Sequence, residues 1–149
     1  MLLSRIVLFT FALLLSGCAS AGGDWVELNG TRYEVEVAND DLSRARGLMF
    51  RDQMAEGCGM LFIHEREEPQ AYWMKNTRIA LDILYFDSSR RLVAQQRDVP
   101  PCSAGNRCPS YPSKAPARYV LELNAGHAAK LNLANGTELA FGPGIPKLP

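Results

Sequence analysis

The sequence contains few of the residues and motifs on which most enzymes and nucleic-acid-binding proteins depend. Only two histidines occur among 149 residues, no serine lies in a nucleophile elbow, and no glycine-rich loop resembles a phosphate-binding loop. The 16 basic and 16 acidic residues give a formal net charge of zero, whereas nucleic-acid-binding domains normally carry a basic excess. These absences predict no nucleic-acid partner and no cofactor, and no motif identifies a reaction or a protein partner.

The sequence also lacks an apolar run of the roughly 20 residues that a membrane-spanning helix needs. Its longest apolar stretch, Ile6 to Leu15, follows a single positive charge at Arg5. A short charged segment before an apolar segment of this length is typical of a secretion signal. The next residues, Leu15-Ser16-Gly17-Cys18, resemble a bacterial lipobox. The resemblance implies cleavage before Cys18 and lipidation of that cysteine.

These features predict three segments: a lipoprotein signal peptide over 1–17, a lipid-anchored tether over 18–24, and a single domain over 25–149. The N-terminal lipid would make the membrane a partner and place the protein in the cell envelope. Ala19 follows the cysteine, whereas an aspartate usually retains lipoproteins at the inner membrane. By resemblance, we therefore expect the outer membrane, with the domain facing the periplasm. The alternative is an ordinary cleaved signal with an incidental cysteine.

Three of the four cysteines lie beyond the signal and the lipidation site. Cys102 and Cys108 flank a segment containing Gly105-Asn106, a pair that favours a turn. Because disulfides persist outside the cytoplasm, we predict a Cys102–Cys108 disulfide. Cys58 is expected to be a small, buried thiol. A zinc site would need four suitably spaced ligands, which the sequence does not offer, so no metal site is predicted.

Short strands with polar turns dominate the rest of the chain. Residues Thr31 to Ala38 alternate apolar and polar side chains after Asn29-Gly30, the pattern of a half-buried strand after a hairpin turn. Asn39 is a candidate cap for a short helix over 40–46. The pattern predicts an all-β domain, a jelly-roll-like β-sandwich or barrel with one or two short helices. Further strands are predicted at 25–28, 59–64, 70–77, 79–86, 92–99, 118–124 and 137–141, a polar turn at 65–69, a long loop at 100–117 and a second helical turn at 126–133.

Five stretches in this order resemble the bacterial and archaeal family called domain of unknown function 192. The likeness covers about 33–141 and implies an all-β fold of jelly-roll type, which agrees with the strand pattern. The family's activity is not settled, so the resemblance implies no catalytic residues. The five stretches are Arg44-Ala45-Arg46-Gly47-Leu48-Met49-Phe50-Arg51, Gly59-Met60-Leu61-Phe62, Trp73-Met74-Lys75-Asn76-Thr77, Leu81-Asp82-Ile83 and Tyr119-Val120-Leu121-Glu122-Leu123-Asn124-Ala125-Gly126.

The densest group of chemically versatile side chains is the stretch from Trp73 to Thr77. On a strand, Trp73, Lys75 and Thr77 would share one face, and Asn76 the other. An aromatic ring beside an ammonium group can hold an anionic or sugar-like ligand. The alternative is that Trp73 fills the core and Lys75 pairs with a nearby acid.

Two carboxylates, Asp82 and Glu122, lie among apolar strand neighbours. Burying a carboxylate is costly unless it is paired or hydrogen-bonded, so we expect pairing with Lys75 or an arginine; a Lys75–Asp82 contact is one candidate. The alternative is that the two carboxylates act as general acid and base, as in glycosidases.

Three classes of function remain from the sequence. The favoured one is a membrane-anchored module that binds a small or glycan-like ligand. The others are an envelope hydrolase that uses Lys75, Asp82 and Glu122, and a structural or protein-docking lipoprotein. The candidate ligand-binding residues are Arg44, Trp73, Lys75, Asn76, Asp82 and Glu122.

Overall fold

The computed structural model describes Cys18 and residues 22–147. The predicted signal peptide, 1–17, and residues 19–21 of the predicted tether lie outside the described residues. The described strands are β1 (Trp25–Leu28), β2 (Thr31–Ala38), β3 (Cys58–Trp73), β4 (Leu81–Phe86), β5 (Leu92–Val99), β6 (Ser110–Asn124) and β7 (Leu139–Phe141), and the helices are α1 (Asp41–Arg46), α2 (His127–Lys130) and a 3-10 turn at Gly105–Arg107.

The strands form one curled sheet in the order β5-β4-β6-β3-β2-β1-β7. Neighbouring strands are antiparallel except for β2 and β3, which are parallel. The two edge strands meet at one end, where Arg91 and Glu138 form an isolated bridge and the amide of Leu92 donates to the carbonyl of Thr137 at 2.8 Å. The sheet is therefore a half-barrel, and the predicted all-β, barrel-like fold with two short helices is confirmed.

Both faces of the sheet are apolar. The concave face carries side chains from all seven strands, such as Val35, Leu84 and Leu121. The convex face carries a second cluster that includes Phe62 and Tyr85. All six residues of β4 are buried. A strand in the middle of a sheet is buried on both faces only when both faces are covered. A second layer must therefore cover the convex face.

The second layer is a ribbon made by the outer halves of β3 and β6, which stay paired as far as Trp73 and Ser110. This ribbon corrects two predictions, since residues 65–69 lie within β3 and not in a turn, and residues 110–117 belong to β6 and not to a loop. In the ribbon, β3 no longer pairs with β2 and β6 no longer pairs with β4. Each ribbon strand therefore has one unpaired edge. Prolines such as Pro69 and Pro112 fit there because an edge position needs no amide donor.

Local turn chemistry explains two further boundaries. Asn29 and Gly30 have φ values of 45° and 78°, as the hairpin turn between β1 and β2 requires. Helix α1 is capped by Asp40, not Asn39: the Asp40 carboxylate accepts from the amide of Ser43 at 2.9 Å, and the Ser43 hydroxyl accepts from the amide of Asp40 at 3.3 Å. This reciprocal box satisfies donors that the first helical turn leaves free.

The predicted Cys102–Cys108 disulfide is confirmed. The expected thiol at Cys58 is wrong, because its sulfur is bonded to that of Cys18. Trp25 pairs with Glu34, and Glu34 pairs with Cys58, so β1 and β3 begin at the same end of the sheet. A lipid on Cys18 would use this same sulfur, and lipidation and the disulfide therefore exclude each other.

The helices among the described residues are all too short or too polar to cross a bilayer.

Close packing between β3 and β6 depends on Gly59. A Cβ atom at this position would lie 2.7 Å from a methyl group of Leu123 and 2.8 Å from the carbonyl oxygen of Glu122. We expect Gly59→Ala to lower the free energy of unfolding by about 1–3 kcal/mol, measured by urea denaturation. Gly57→Ala is the matched control, because nothing lies within 4 Å of its Cβ. Equal stability of the two variants would contradict this packing.

Candidate functional site

A narrow crevice opens on the convex face between α1, β3 and β6. Its volume is about 30 Å³, which leaves room for only a few water-sized groups. The crevice is lined by Arg44, Ala45, Arg46, Gly47, Leu48, Met49, Phe62, Tyr72, Trp73, Lys75, Thr77 and Glu122.

Glu122 is the buried acid of this crevice. Its residue is 4% exposed, and burial raises the pKa of its carboxyl to about 8. Among the described residues, no hydrogen bond or ion pair compensates for that burial. The carboxyl is therefore protonated at pH 7, a state in which it can donate a hydrogen bond.

Two tyrosines lie near Glu122, and a histidine is hydrogen-bonded to one of them. The hydroxyl of Tyr72 shares a hydrogen bond of 2.9 Å with Nε2 of His64, and the hydroxyl of Tyr85 donates to the carbonyl of Tyr111 at 2.5 Å. Burial raises the pKa of both tyrosines, and the negative charge that Glu122 carries when ionised raises them further. Burial and the nearby Arg44 lower the pKa of His64. All three groups are therefore neutral at pH 7.

Arg44 is fixed at the edge of the crevice by its own helix and by β3. It donates to the carbonyl of Ile63 at 2.9 Å and to the carboxylate of Asp41, three residues earlier in α1, at 2.6 Å. Its side chain is 15% exposed. Because the two partners hold the guanidinium from different sides, its position does not depend on a ligand.

Lys75 is held at the opposite side by the disulfide-closed loop. Its ammonium donates to the side-chain oxygen of Asn106 at 2.7 Å and lies 4.7 Å from the centre of the Trp73 ring. The loop itself is attached through the amide of Cys102, which donates to the carbonyl of Thr77 at 3.2 Å. The disulfide thus positions a cation beside an aromatic ring that is 44% exposed.

The structure brings together four of the six predicted site residues: Arg44, Trp73, Lys75 and Glu122 all line the crevice. Asn76 lines an adjoining cavity of about 310 Å³, which shares Thr77 with the crevice and also contains Phe50, Arg78, Pro101, Cys102 and Ser103.

Asp82 is not part of the site. Its register partner is Leu123, whereas Glu122 pairs with Ile83, so the two carboxyls leave opposite faces of the sheet. The Asp82 carboxylate accepts hydrogen bonds from the amides of Asp98 at 2.9 Å and Ala128 at 2.7 Å. The predicted Lys75–Asp82 contact is therefore wrong, and Lys75, Asp82 and Glu122 do not form one catalytic set.

Tyr72, His64 and Phe50 also belong to the site region and are not predicted from the sequence. Tyr72 lies beside the stretch from Trp73 to Thr77, but its role depends on the ribbon folding back over the convex face, and no local sequence pattern predicts that. Phe50 is recognisable only from the structure. It is a large aromatic residue with a φ of 65°, a conformation that non-glycine residues rarely adopt.

The described residues contain no cluster of three or more histidine, cysteine, aspartate or glutamate side chains that could hold a metal ion.

The chain belongs to the DUF192 family, described as "Uncharacterized ACR", whose profile matches residues 25–141. This match confirms the resemblance seen in the sequence. It assigns no activity, since the family is uncharacterised.

Two crystal structures are similar to this chain. One, a Novosphingobium aromaticivorans protein of unknown function, is 29% identical, with a TM-score of 0.72 over 78% of this chain and 84% of its own. The other, a Sinorhizobium meliloti protein proposed to be a transcription regulator, is 36% identical, with a TM-score of 0.75 over 87% of this chain and 100% of its own. A comparison with curated proteins gives no match.

The buried carboxyl predicts an unusual dependence of stability on pH. Because burial raises the pKa of Glu122 from 4.5 to about 8, the folded protein binds more protons than the unfolded chain between these values. The contribution of this group to the free energy of unfolding is greatest below about pH 4.5 and is lost as pH rises toward 8.

We therefore expect Glu122→Gln to be more stable than the wild type near pH 8, by several kcal/mol. The advantage should shrink toward pH 5. As the pH falls, the wild-type carboxyl becomes protonated in the unfolded chain as well as in the folded protein, so the difference between the two states disappears. Urea denaturation at pH 5, 6.5 and 8 measures this difference, with Glu138→Gln, an exposed position, as the control. A difference that does not change with pH would contradict the protonated state of Glu122.

Proposed function

We propose that this protein is an envelope-anchored binding module whose convex face holds a small, glycan-like ligand. The observation that carries the proposal is the Glu122 carboxyl, which is 4% exposed and has no partner among the described residues. A buried, unpaired polar group lowers stability. A carboxyl group that lies in a crevice and has a strongly shifted pKa is common at functional sites.

The size of the cavities indicates how such a ligand would lie. The crevice, at about 30 Å³, is far smaller than a typical small-molecule site of roughly 300–1,000 Å³. The adjoining cavity of about 310 Å³ reaches that range. The body of the ligand would therefore occupy the adjoining cavity, and one substituent would pass Thr77 into the crevice.

Two exposed aromatic rings favour a ligand with a flat, partly apolar face, such as a sugar. Phe50 is 59% exposed and Trp73 is 44% exposed; Phe50 lines the larger cavity and Trp73 the crevice. The amide of Phe50 donates to the carbonyl of Asn76 at 2.8 Å, which fixes the backbone in its left-handed conformation. Strained backbone that neighbouring contacts hold in place is common at ligand sites.

Binding fits this site better than hydrolysis. A glycosidase uses two carboxyl groups on either side of the scissile bond, whereas the crevice lining contains one, Glu122. Asp82, the second acid that the sequence offered, lies on the other face of the sheet with both oxygens hydrogen-bonded.

Neutral saccharides test the binding site. We expect chitobiose or maltose to shift backbone NMR signals around Trp73 and Asn76, and Trp73→Ala to weaken the binding about tenfold, since losing an aromatic contact costs about 1.5 kcal/mol. Leu42→Ala is the control, because Leu42 is 80% exposed and lines neither cavity. Unchanged affinity in Trp73→Ala would contradict the proposal.

The anchoring part of the proposal rests on the sequence before β1, and it requires an acylated Cys18 in place of the Cys18–Cys58 disulfide. A lipobox-like stretch ends at Cys18, and six residues lie between that cysteine and Trp25, so a lipid there would hold the domain close to a membrane surface. The outer membrane, with the domain in the periplasm, is the proposed location.

The state of Cys18 tests the anchor. We expect Cys18→Ser to leave the membrane fraction or to remain unprocessed, because two or three acyl chains give stable attachment, whereas none or one does not. Mass spectrometry of the wild type should find an acylated Cys18 peptide. A Cys18–Cys58 linked peptide in the mature protein, as the structure pairs them, would show that Cys18 carries no lipid and would refute the anchor.

A further inference from the structure

We propose that the group of the ligand that enters the Glu122 crevice is a carboxylate. This inference rests on the proposed function, because it specifies the chemistry of the ligand at the same site. It is carried by the kinds of polar groups in the crevice, by their charges and by the size of the space.

The charged and polar side chains of the crevice are mainly hydrogen-bond donors. Arg44, Arg46 and Lys75 line it and have no acceptor capacity. The Thr77 hydroxyl and the protonated Glu122 carboxyl add two O–H groups. Arg44, Lys75 and Thr77 already donate to oxygens of the protein. A ligand group that joins this set must supply further acceptors, because Arg and Lys side chains accept no hydrogen bonds.

The charges favour an anion. The titratable and charged groups that face Glu122 are Arg44 and Arg46 from the α1 side, Tyr72 and Tyr85 from β3 and β4, and Lys75 from the segment after β3. Only the three basic groups carry a charge at pH 7. Asp41 offsets Arg44 in part, whereas among the described residues no carboxylate pairs with Arg46 or Lys75.

The space favours a small anionic group. The volume of the crevice is about 30 Å³, and a planar carboxylate is smaller than a tetrahedral phosphate. Arg44 and Lys75 approach from two sides and are already held by Ile63 and Asn106. Little side-chain freedom is therefore lost on binding, and this lowers the cost of holding the anion.

The protonated Glu122 would donate to the ligand carboxylate, a charge-assisted O–H···O bond that is shorter and stronger than a neutral one. The pair of carboxyl groups would then share one proton. As pH rises past about 8, the value to which burial raises the pKa of Glu122, the proton is lost and two negative charges face each other. Binding should weaken accordingly.

Glucuronate and glucose are matched probes for the full-length protein, because they differ in one carboxylate. By NMR titration at pH 6.5 we expect glucuronate to bind at least tenfold more tightly than glucose, with the largest shifts at Lys75 and Glu122. Lys75→Met should remove most of this preference, and Lys114→Met, an exposed lysine of the ribbon, should leave it unchanged. The preference should fall at pH 9 in the wild type and not in Glu122→Gln, which keeps a donor but does not titrate.

The outcomes separate the two proposals. Equal binding of glucuronate and glucose that depends on Trp73 would overturn the carboxylate and leave the binding module standing. Inorganic phosphate that binds more tightly than acetate at Lys75 and Glu122 would also overturn the carboxylate, in favour of a phosphate ligand. If neither sugar nor acetate shifts these residues at tens of millimolar, both proposals fail.

Discussion

The pairing of β3 with β6 on both sides of a register shift between Ile63 and Glu68 is the constraint on which the rest of the structure depends. In their inner halves these strands join the two sides of the half-barrel, and in their outer halves they continue as a ribbon as far as Trp73 and Ser110. The ribbon returns over the convex face and covers β4, and for that reason all six β4 residues are buried. The same ribbon places Tyr72 over Glu122 and forms one side of the crevice. The pairing of β3 with β6 therefore forms both the second layer of the core and the candidate site.

Two buried carboxyls in this sheet have opposite relations to their surroundings. Asp82, on the concave face, accepts two backbone hydrogen bonds and so links β4 to the end of β5 and the start of α2. Glu122, on the convex face, has no such partner among the described residues, and burial raises its pKa. The first arrangement stabilises the fold, whereas the second opposes it. Asp82 therefore has a structural role, whereas Glu122 is the acid on which the proposed binding site depends.

Periodicity in the sequence predicts most of the strands, the Asn29-Gly30 turn and the Cys102–Cys108 disulfide, because each depends on neighbouring residues. It cannot predict that residues 65–69 continue a strand, because Glu68 and Pro69 pair with residues about 50 positions away and Pro69 needs a free strand edge. The candidate site is also predicted only in part. Glu122 is predicted as a candidate because it is an acid among apolar neighbours. Whether Asp82 lies beside it depends on the register of β4 against β6, which composition does not encode.

Helix α1 forms one wall of the crevice, and none of its residues is buried. Its attachment to the sheet relies on the hydrogen bond from Arg44 to Ile63 and on Leu48, which follows the helix and is 2% exposed. Segments with so little buried apolar surface open locally at a small fraction of the free energy of global unfolding. The amide hydrogens of this wall should therefore exchange with solvent more readily than those of the central strands. The crevice can widen in this way without any rearrangement of the sheet.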